Sequence, residues 1–428
     1  MNVLLIGGGG REHALAWKIS ESPVLKKLFC TPGNPGIFEI AEKAEIDLNG
    51  VEIVEFCREH KISLVVIGPD KEIADGLADT LCNARIPVFG PSRKAARLEW
   101  SKGFAKEFMD RHNIPTAGYA RFKSNETELA WRYLAAQDFP VVIKADGLAA
   151  GKGVTVAYDN DTAFGALDEI FNGKFGAAGA EVVIEDFLKG EEASVFAICD
   201  GRRFVTLAPA QDHKRAFDND EGKNTGGMGS YAPAAIVTPD VLKKVEERII
   251  APVLKGMADE GATFVGCLFV GLMIDNGEPS VVEFNARFGD PETQSVLTVF
   301  KGDFLRLLHS AAMKNIDSYW IKEVADGVAC TVVLASKGYP DAFEKGFPIT
   351  GLENAQSENV RIFHAGTTLK EDKLVTNGGR VLGVTAKSET LEDAIATAYK
   401  AVNKVCFDNI FYRKDIGKKG LAIVQNEL

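Results

Sequence analysis

The chain has 428 residues, 46% hydrophobic and 25% charged, the make-up of an ordinary soluble globular protein with room for about three domains. A formal net charge of -11 argues against binding nucleic acid through its phosphates, which takes a basic face, and leaves open a local basic pocket for a small phosphate ester. The seven cysteines are scattered without a C-x-x-C pair, and none of the six histidines stands four residues from another; with no apolar run near the ~20 residues of a membrane span, a cytoplasmic protein without a disulfide or zinc framework is expected.

Residues 1 to 90 alternate short apolar runs with helical patterns: "VLLI" (3–6), "KLFCT" (27–31), "LVVIGP" (64–69) and "IPVFGP" are separated by "REHALAWKIS" and "EIADGLADTLCNA". Continuous apolar strands spaced by helices predict a doubly wound parallel sheet, with ligands at the carboxyl ends of its strands. The segment 92–115 is expected to be one long helix, capped by Ser92 and stopped by Pro115. From about 120 to 190 a small unit follows: "YARF", a helix near 126–138, "PVVIKA", a glycine loop, "GVTVAY", another helix and "EVVIEDFL". Long strands are expected to dominate 193–325, including "EASVFAICDG", "RFVTLAPAQDHKR", "FVGCLFVGLMID" and "PSVVEFNARFGDPE". The tail shows strands with Gly-rich turns, "HAGTT" and "NGGRVLGVTA", and a late helix near 391–405.

The first glycine loop, Gly7 to Gly10, lacks the third glycine of a dinucleotide fingerprint, and the second strand ends in Thr31-Pro32 where an acid would read a ribose. A nicotinamide-dependent dehydrogenase is therefore disfavoured. Two readings of the loop stay open: an anion site made by Gly9, Gly10 and Arg11 at a helix N-terminus, or a plain tight turn.

The loop in "IKADGLAAGKGV" (143–154) nearly matches a P-loop. Asp146 stands where the first glycine should be, and Gly153 replaces the hydroxyl after Lys152. It also lies between two strand patterns, so it reads as a hairpin with a long glycine tip whose amides and ammonium groups close over phosphates. Downstream, "VIEDFLKGEEAS" (183–194) offers backbone groups for an adenine edge and Glu191 or Glu192 for ribose hydroxyls. "QDHKR" (211–215) ends a strand, and "NTGGMGS" (224–230) is either a second anion nest or a flexible connector. In "VVEFNARFGDPETQ" (281–294) strand alternation puts Glu283 and Asn285 on one face, two oxygen ligands for a hard cation bridging ATP phosphates, with Arg287 on that face and Asp290 in the turn.

The order of Lys102, Lys144 before a glycine flap, "EDFLKGEE" and "EFN" resembles the ATP-grasp fold. More narrowly, "IGGGGREHALAWK", "IKADGLAAGKGV", "QDHKR", "NTGGMGSYAPA", "EFNARFGDPETQ" and "RKDIG" resemble the phosphoribosylamine–glycine ligase family, over residues 1 to about 417. The resemblance implies an α/β and α+β multidomain chain: an N-terminal doubly wound domain with its linking helix (1–119), an ATP-grasp lid (120–192), a large catalytic subdomain (193–325) and a small C-terminal α/β domain (326–428). It implies ATP-dependent ligation of glycine to 5-phosphoribosylamine through glycyl phosphate, with Mg²⁺ or Mn²⁺, by a monomer or weak homodimer that binds neither nucleic acid nor membrane. A related enzyme carboxylating or formylating a ribonucleotide is the alternative within the fold.

Under this resemblance Lys102 and Lys144 hold phosphates, the flap with Gly147, Gly151 and Gly153 covers them, Glu185 and Leu188 frame adenine, and Glu192 takes the ribose. Glu283 and Asn285 hold the metal. Arg287, Asp290 and Asp212 orient glycine and the acyl phosphate, and Gly9, Gly10, Arg11, Lys214, Thr225, Gly226 and Gly227 complete the substrate site. One departure stands out: "GPDKEI" (68–73) replaces the family's G-P-E-x-P-L, which puts the contact made by Asp70 in question.

Overall fold

A computed structural model describes residues 1–48, 50–147 and 153–426, with the side chains of residues 177 and 424–426 left aside. Gly151 of the expected flap lies outside the described residues. In the N-terminal unit five parallel strands run in the spatial order Glu42–Lys43, Lys27–Pro32, Asn2–Gly7, Ile62–Ile67, Val88–Phe89. Val3 to Ile6 are fully buried because helices cover both faces of the sheet. The chain leaves the central strand to one side and returns to the other, so the Gly7–Gly10 loop and Gly68–Asp70 sit together at the switch point.

The segment 92–115 forms two helices, Arg97–Trp100 and Lys102–Arg111, and not the single helix expected. Ser101 between them is extended, and its side chain caps the second helix by accepting from the Phe104 amide. Asp146 reinforces the break: its carboxylate accepts from the Gly103 amide (2.5 Å) and its carbonyl from the Lys102 amide (3.2 Å). The aspartate that spoils the P-loop pattern is thus a helix cap from another part of the chain.

In the lid the strand order is Tyr119–Lys123, Glu181–Asp186, Val141–Ala145, Val154–Ala157, antiparallel throughout. Val141–Ala145 and Val154–Ala157 pair directly, as a hairpin flanking the glycine loop requires. The lid has a core of its own, built on Ala130, Leu134, Ile143, Leu167, Val182 and Ile184.

The large subdomain carries an antiparallel sheet ordered Phe204–Thr206, Glu191–Asp200, Val265–Asp275, Glu278–Asn285. "RFVTLAPAQDHKR" is not one strand: the regular strand ends at Thr206, Ala210 keeps only an isolated bridge to Ser194 past Pro209, and Gln211–Asp212 joins a different sheet. Helices also take more of 193–325 than strand patterns suggested, from Pro239 to Asp259 with a π-helical segment, and over Glu292–Val299 and Phe304–Ala312. Gln211–Asp212 and Gly229–Ala232 join the C-terminal strands Val328–Ser336, Arg380–Ser388 and Val360–His364 in one sheet, so strands from both sides of residue 326 share it. The helix near 391–405 is Leu391–Val402. Buried residues of the N-terminal, large and C-terminal units run together in two shared cores, unlike those of the lid. Among the described residues no helix is long and apolar enough to cross a membrane.

Candidate active site

Where the lid meets the large sheet, lysines gather. Lys144 lies in the second lid strand and Glu185 in its neighbour, while Lys106 comes from the Lys102–Arg111 helix. Glu185 is shared: Oε1 is 2.9 Å from Lys144 Nζ and Oε2 is 3.0 Å from Lys106 Nζ, all three side chains 5% exposed or less. Lys144 also donates to the Val282 carbonyl (3.2 Å), linking the lid to the strand that carries Glu283. Lys102 makes no ion pair among the described residues and donates to the Gly147 carbonyl at 3.3 Å. Burial lowers the pKa of Lys102 and Lys106, with the Lys144 ammonium adding to the shift and nearby carboxylates, Glu185 among them, opposing it. Such a cluster favours an anionic ligand. Glu185, expected beside adenine, has its carboxylate between two lysines, and Leu188 is half-buried just past the end of that strand.

Glu283 and Asn285 share a face of Glu278–Asn285, as period-2 alternation demands. Opposite Glu283 the partner strand has Gly271, and a Cβ there would lie 3.4 Å from Glu283 Cγ. Against the upward push of burial, Lys214, Lys144, Lys102 and Arg287 hold the Glu283 carboxyl below its usual range. Glu283 has no ion pair of its own among the described residues, so an ionised oxygen pair is available to a hard cation. The strand ends at Asn285; Arg287 lies beyond it but folds back, Nη2 donating to Asn285 Oδ1 (2.9 Å) and pairing with Glu99 Oε1 (2.9 Å). Arg287 Nε is buried without a partner among the described residues.

Asp212 and Lys214 precede a hairpin, Arg215–Phe217 with Glu221–Asn224. Lys214 pairs with Glu192 at 2.6 Å, so the carboxylate assigned to ribose already has a cation. Burial and the nearby carboxylates of Glu192 and Glu283 push Asp212 up to about 6, with Lys214 opposing, and burial with Asp212 pushes Glu292 up to about 8. The loop after the hairpin is less open than the nest reading implied. The Gly226 amide donates to Tyr339 Oη (2.9 Å), the Gly227 amide to Thr225 Oγ1 (3.0 Å), and Thr225 Oγ1 to the Lys214 carbonyl (2.8 Å).

The first glycine loop is likewise partly occupied. The Gly9 amide donates to Glu12 Oε2 (2.7 Å) and the Arg11 amide to Asp290 Oδ2 (2.9 Å); the Arg11 guanidinium is held by Glu12 and the Phe288 carbonyl. The anion reading for this turn therefore loses the Gly9 and Arg11 amides and the Arg11 charge to intramolecular partners. Asp70 opens the short helix beside this loop, and its carboxylate accepts from the Lys71 amide (3.0 Å).

Four groups that sequence reasoning did not assign complete the arrangement. Arg380 enters from the C-terminal sheet, and its Nη1 donates to the carbonyls of Gly226 and Asp290 (2.8 Å for the latter) and pairs with Asp290 Oδ1 at 3.2 Å. Against the upward push of burial, Arg380 and Arg11 hold Asp290 below its usual range. Arg413, 1% exposed, binds Asp220, Asp415 and the Arg215 carbonyl, tying "RKDIG" to the 215–224 hairpin. Gln294 lies on the helix after Asp290 with its amide on that carboxylate. Glu99 anchors Arg287 and accepts from the Ala286 amide at 2.7 Å. "NGGRVLGVTA", "RKDIG" and "PETQ" each contained one of these residues, but nothing in a linear pattern says which cleft such a residue faces.

A two-sheet grasp around a lysine cluster and a carboxylate-bearing strand defines an ATP-grasp ligase. Biotin carboxylase from Campylobacter jejuni, crystallised with β,γ-ATP, shares this fold at a TM-score of 0.72 and 16% identity, over 96% of this chain and 92% of that one. Residues 1–99, 100–293 and 329–419 match in turn the N domain, the ATP-grasp (A) domain and the C domain of phosphoribosylglycinamide synthetase. Phosphoribosylamine–glycine ligase of Rhizobium meliloti (strain 1021) is 52% identical over 425 residues, 99% of each chain. The crystal structure of phosphoribosylamine–glycine ligase from Thermotoga maritima superposes with a TM-score of 0.83 at 36% identity, covering 97% of this chain and 100% of that one. The chain belongs to the phosphoribosylamine–glycine ligase family.

Proposed function

We propose that this protein joins glycine to 5-phospho-D-ribosylamine at the expense of ATP, giving the ribosyl glycinamide, ADP and phosphate in purine biosynthesis. The observation that carries the reading is the convergence of Lys102, Lys144 and Lys214 on Glu283, a carboxylate without an ion pair of its own among the described residues. The full-length likeness to named ligases supplies the substrates.

In this reading a glycine carboxylate oxygen attacks the γ-phosphorus of ATP, the bond to the bridging oxygen breaks, and ADP leaves. The ribosylamine nitrogen then attacks the carbonyl of glycyl phosphate, phosphate leaves, and the nitrogen loses a proton. No protein nucleophile is needed; the side chains position the substrates and neutralise charge. Lys102 and Lys144 take phosphate oxygens under the flap that begins at Gly147 and ends at Gly153, and Leu188 borders the base. Glu283 and Asn285 would hold Mg²⁺ or Mn²⁺, which neutralises charge on the triphosphate. Arg287 offers its unpartnered Nε to glycine or the acyl phosphate, with Asp212 and Asp290 alongside. Seven unpaired cysteines suit a reducing cytoplasm.

The test is phosphate release from ATP with glycine and freshly made phosphoribosylamine, each omitted in turn. Release that needs both supports the reading. Release supported equally by bicarbonate or formate in place of glycine would replace it with carboxylation or formylation.

A further inference from the structure

Where Gly10, Asp290 and the C-terminal sheet meet, the side chain of Gln294 has a buried polar atom without a partner among the described residues. Gln294 is 2% exposed, and its carboxamide sits where three units meet. Its Nε2 donates to Asp290 Oδ1 at 3.3 Å, whereas its Oε1 is buried without a hydrogen bond among the described residues. The orientation follows from the neighbours. Asp290 is held ionised by Arg380 and Arg11 and can only accept, so the amide must turn its N–H toward Asp290 and leave its carbonyl facing away.

The surroundings show why this carbonyl is left open. Gly10, at the N-terminus of the Gly10–Ser20 helix, has no side chain: a Cβ there would lie 2.7 Å from Gln294 Nε2, 3.5 Å from Asp290 Oδ2 and 3.5 Å from Ala365 Cβ. On the C-terminal sheet Gly383 also lacks a side chain, and a Cβ there would lie 4.0 Å from Gln294 Cγ. Two bare glycines and one alanine therefore bring three backbones close to the carboxamide, and none of them supplies a donor to Oε1. A buried acceptor without a donor costs on the order of 1–3 kcal/mol, a cost that a ligand donor removes.

Which substrate supplies that donor follows from location and chemistry. The phosphate-binding lysines lie on the lid side, on Glu185 and the Val282 carbonyl, whereas Gln294 lies against Gly10, Asp290 and the C-terminal sheet. A phosphate group at neutral pH offers acceptors and no strong donor, so it cannot satisfy a carbonyl. The ribosylamine carries hydroxyl and amine donors.

We propose that Gln294 Oε1 accepts a hydrogen bond from an N–H or O–H of the ribosylamine, making Gln294 a specificity-determining residue for the acceptor substrate. The assignment rests on the ligase reading above. Its Nε2 bond to Asp290 then serves a second purpose: it fixes the amide with the carbonyl turned away from Asp290 before substrate arrives.

The experiment compares full-length wild type with Gln294→Met, which keeps length and removes both polar atoms. KM for phosphoribosylamine should rise about three- to tenfold, with KM for ATP and glycine unchanged. Thermal stability should hold or rise, since an unpartnered acceptor has been removed. A fall in stability with KM for phosphoribosylamine unchanged would show a purely structural amide and overturn the proposal, as would equal shifts in all three KM values. If the methionine variant does not fold, Gln294→Ala carries the same expectation for KM. Failure of the ligase reading is separately visible: wild type would then show no phosphate release dependent on phosphoribosylamine.

Discussion

At the lid end of the cleft, Lys106 and Lys144 share the carboxylate of Glu185 and Lys102 has no ion pair among the described residues, whereas at the junction of the other units Arg11 pairs with Glu12, Arg287 with Glu99 and Arg380 with Asp290. The lid also packs on a private core, while the other units share theirs. An excess of positive charge where the separately packed lid meets the Lys102–Arg111 helix suits a polyanion that arrives, changes charge and leaves. Balanced charge across several units makes a rigid frame, in which only a few atoms, such as Arg287 Nε and Gln294 Oε1, are left to read a ligand.

The largest expected effect breaks the contrast at its centre. Glu283→Ala removes the anion facing the lysines, and turnover should fall about 10³-fold or more in a steady-state assay. Near-normal activity would mean that Glu283 does not hold the metal.

Next is the frame. Arg413→Ala leaves Asp415 without its buried cation while Asp220 keeps Lys419, and stability should drop by about 3 kcal/mol in denaturant unfolding. Faster hydrogen exchange in residues 215–224 than elsewhere would locate the loss in the hairpin that follows Lys214. A smaller effect is expected from Arg380→Gln, which releases Asp290 and the Gly226 carbonyl. It should lower kcat/KM for phosphoribosylamine by up to about 10²-fold and leave KM for ATP unchanged. A change in ATP affinity instead would dissolve the separation of the two ends.

The smallest effect concerns pH. His13 and His364 meet between the first helix and the C-terminal sheet, His13 Nδ1 accepting from the His364 amide at 2.8 Å. Burial lowers both, His13 to about 3 with His364 and Arg361 adding to the shift, and His364 to about 4. The unfolded chain therefore binds more protons than the folded one, so the stability from this contact is present above about pH 6.5 and is lost as pH falls toward 4. Melting should drop by a few degrees between about pH 7 and pH 5. In His13→Asn, whose side-chain oxygen can take the same amide, the drop should be smaller.

Much of the fold could be read because its signals are local. The apolar run Val3–Ile6 before a glycine turn, the period-2 placement of Glu283 and Asn285, and the hairpin context of the 143–154 loop depend on neighbours within a few residues. The misread elements failed for reasons a local pattern cannot hold. The 92–115 helix breaks at Ser101 because Asp146 caps the second half from outside, and "RFVTLAPAQDHKR" changes sheets at Pro209. Glu185 is expected beside adenine on the family resemblance alone; that its carboxylate pairs with Lys106, from a separate helix, and with Lys144 is a tertiary fact no local pattern holds.

By itself, the sequence determined the main apolar strands of the N-terminal unit, the strand and helix order of the lid, and the set of lysines and carboxylates that are candidates for phosphate and metal, since spacing along a strand or turn is a covalent property. Tertiary structure decided which of those groups are free. Asp290 meets the Arg11 amide 279 positions away, and Arg380 reaches the Gly226 carbonyl 154 positions away. Whether a buried charge is neutralised or left for a ligand depends on such distant partners, because electrostatic and hydrogen-bond energies fall with distance in space and take no account of separation along the chain.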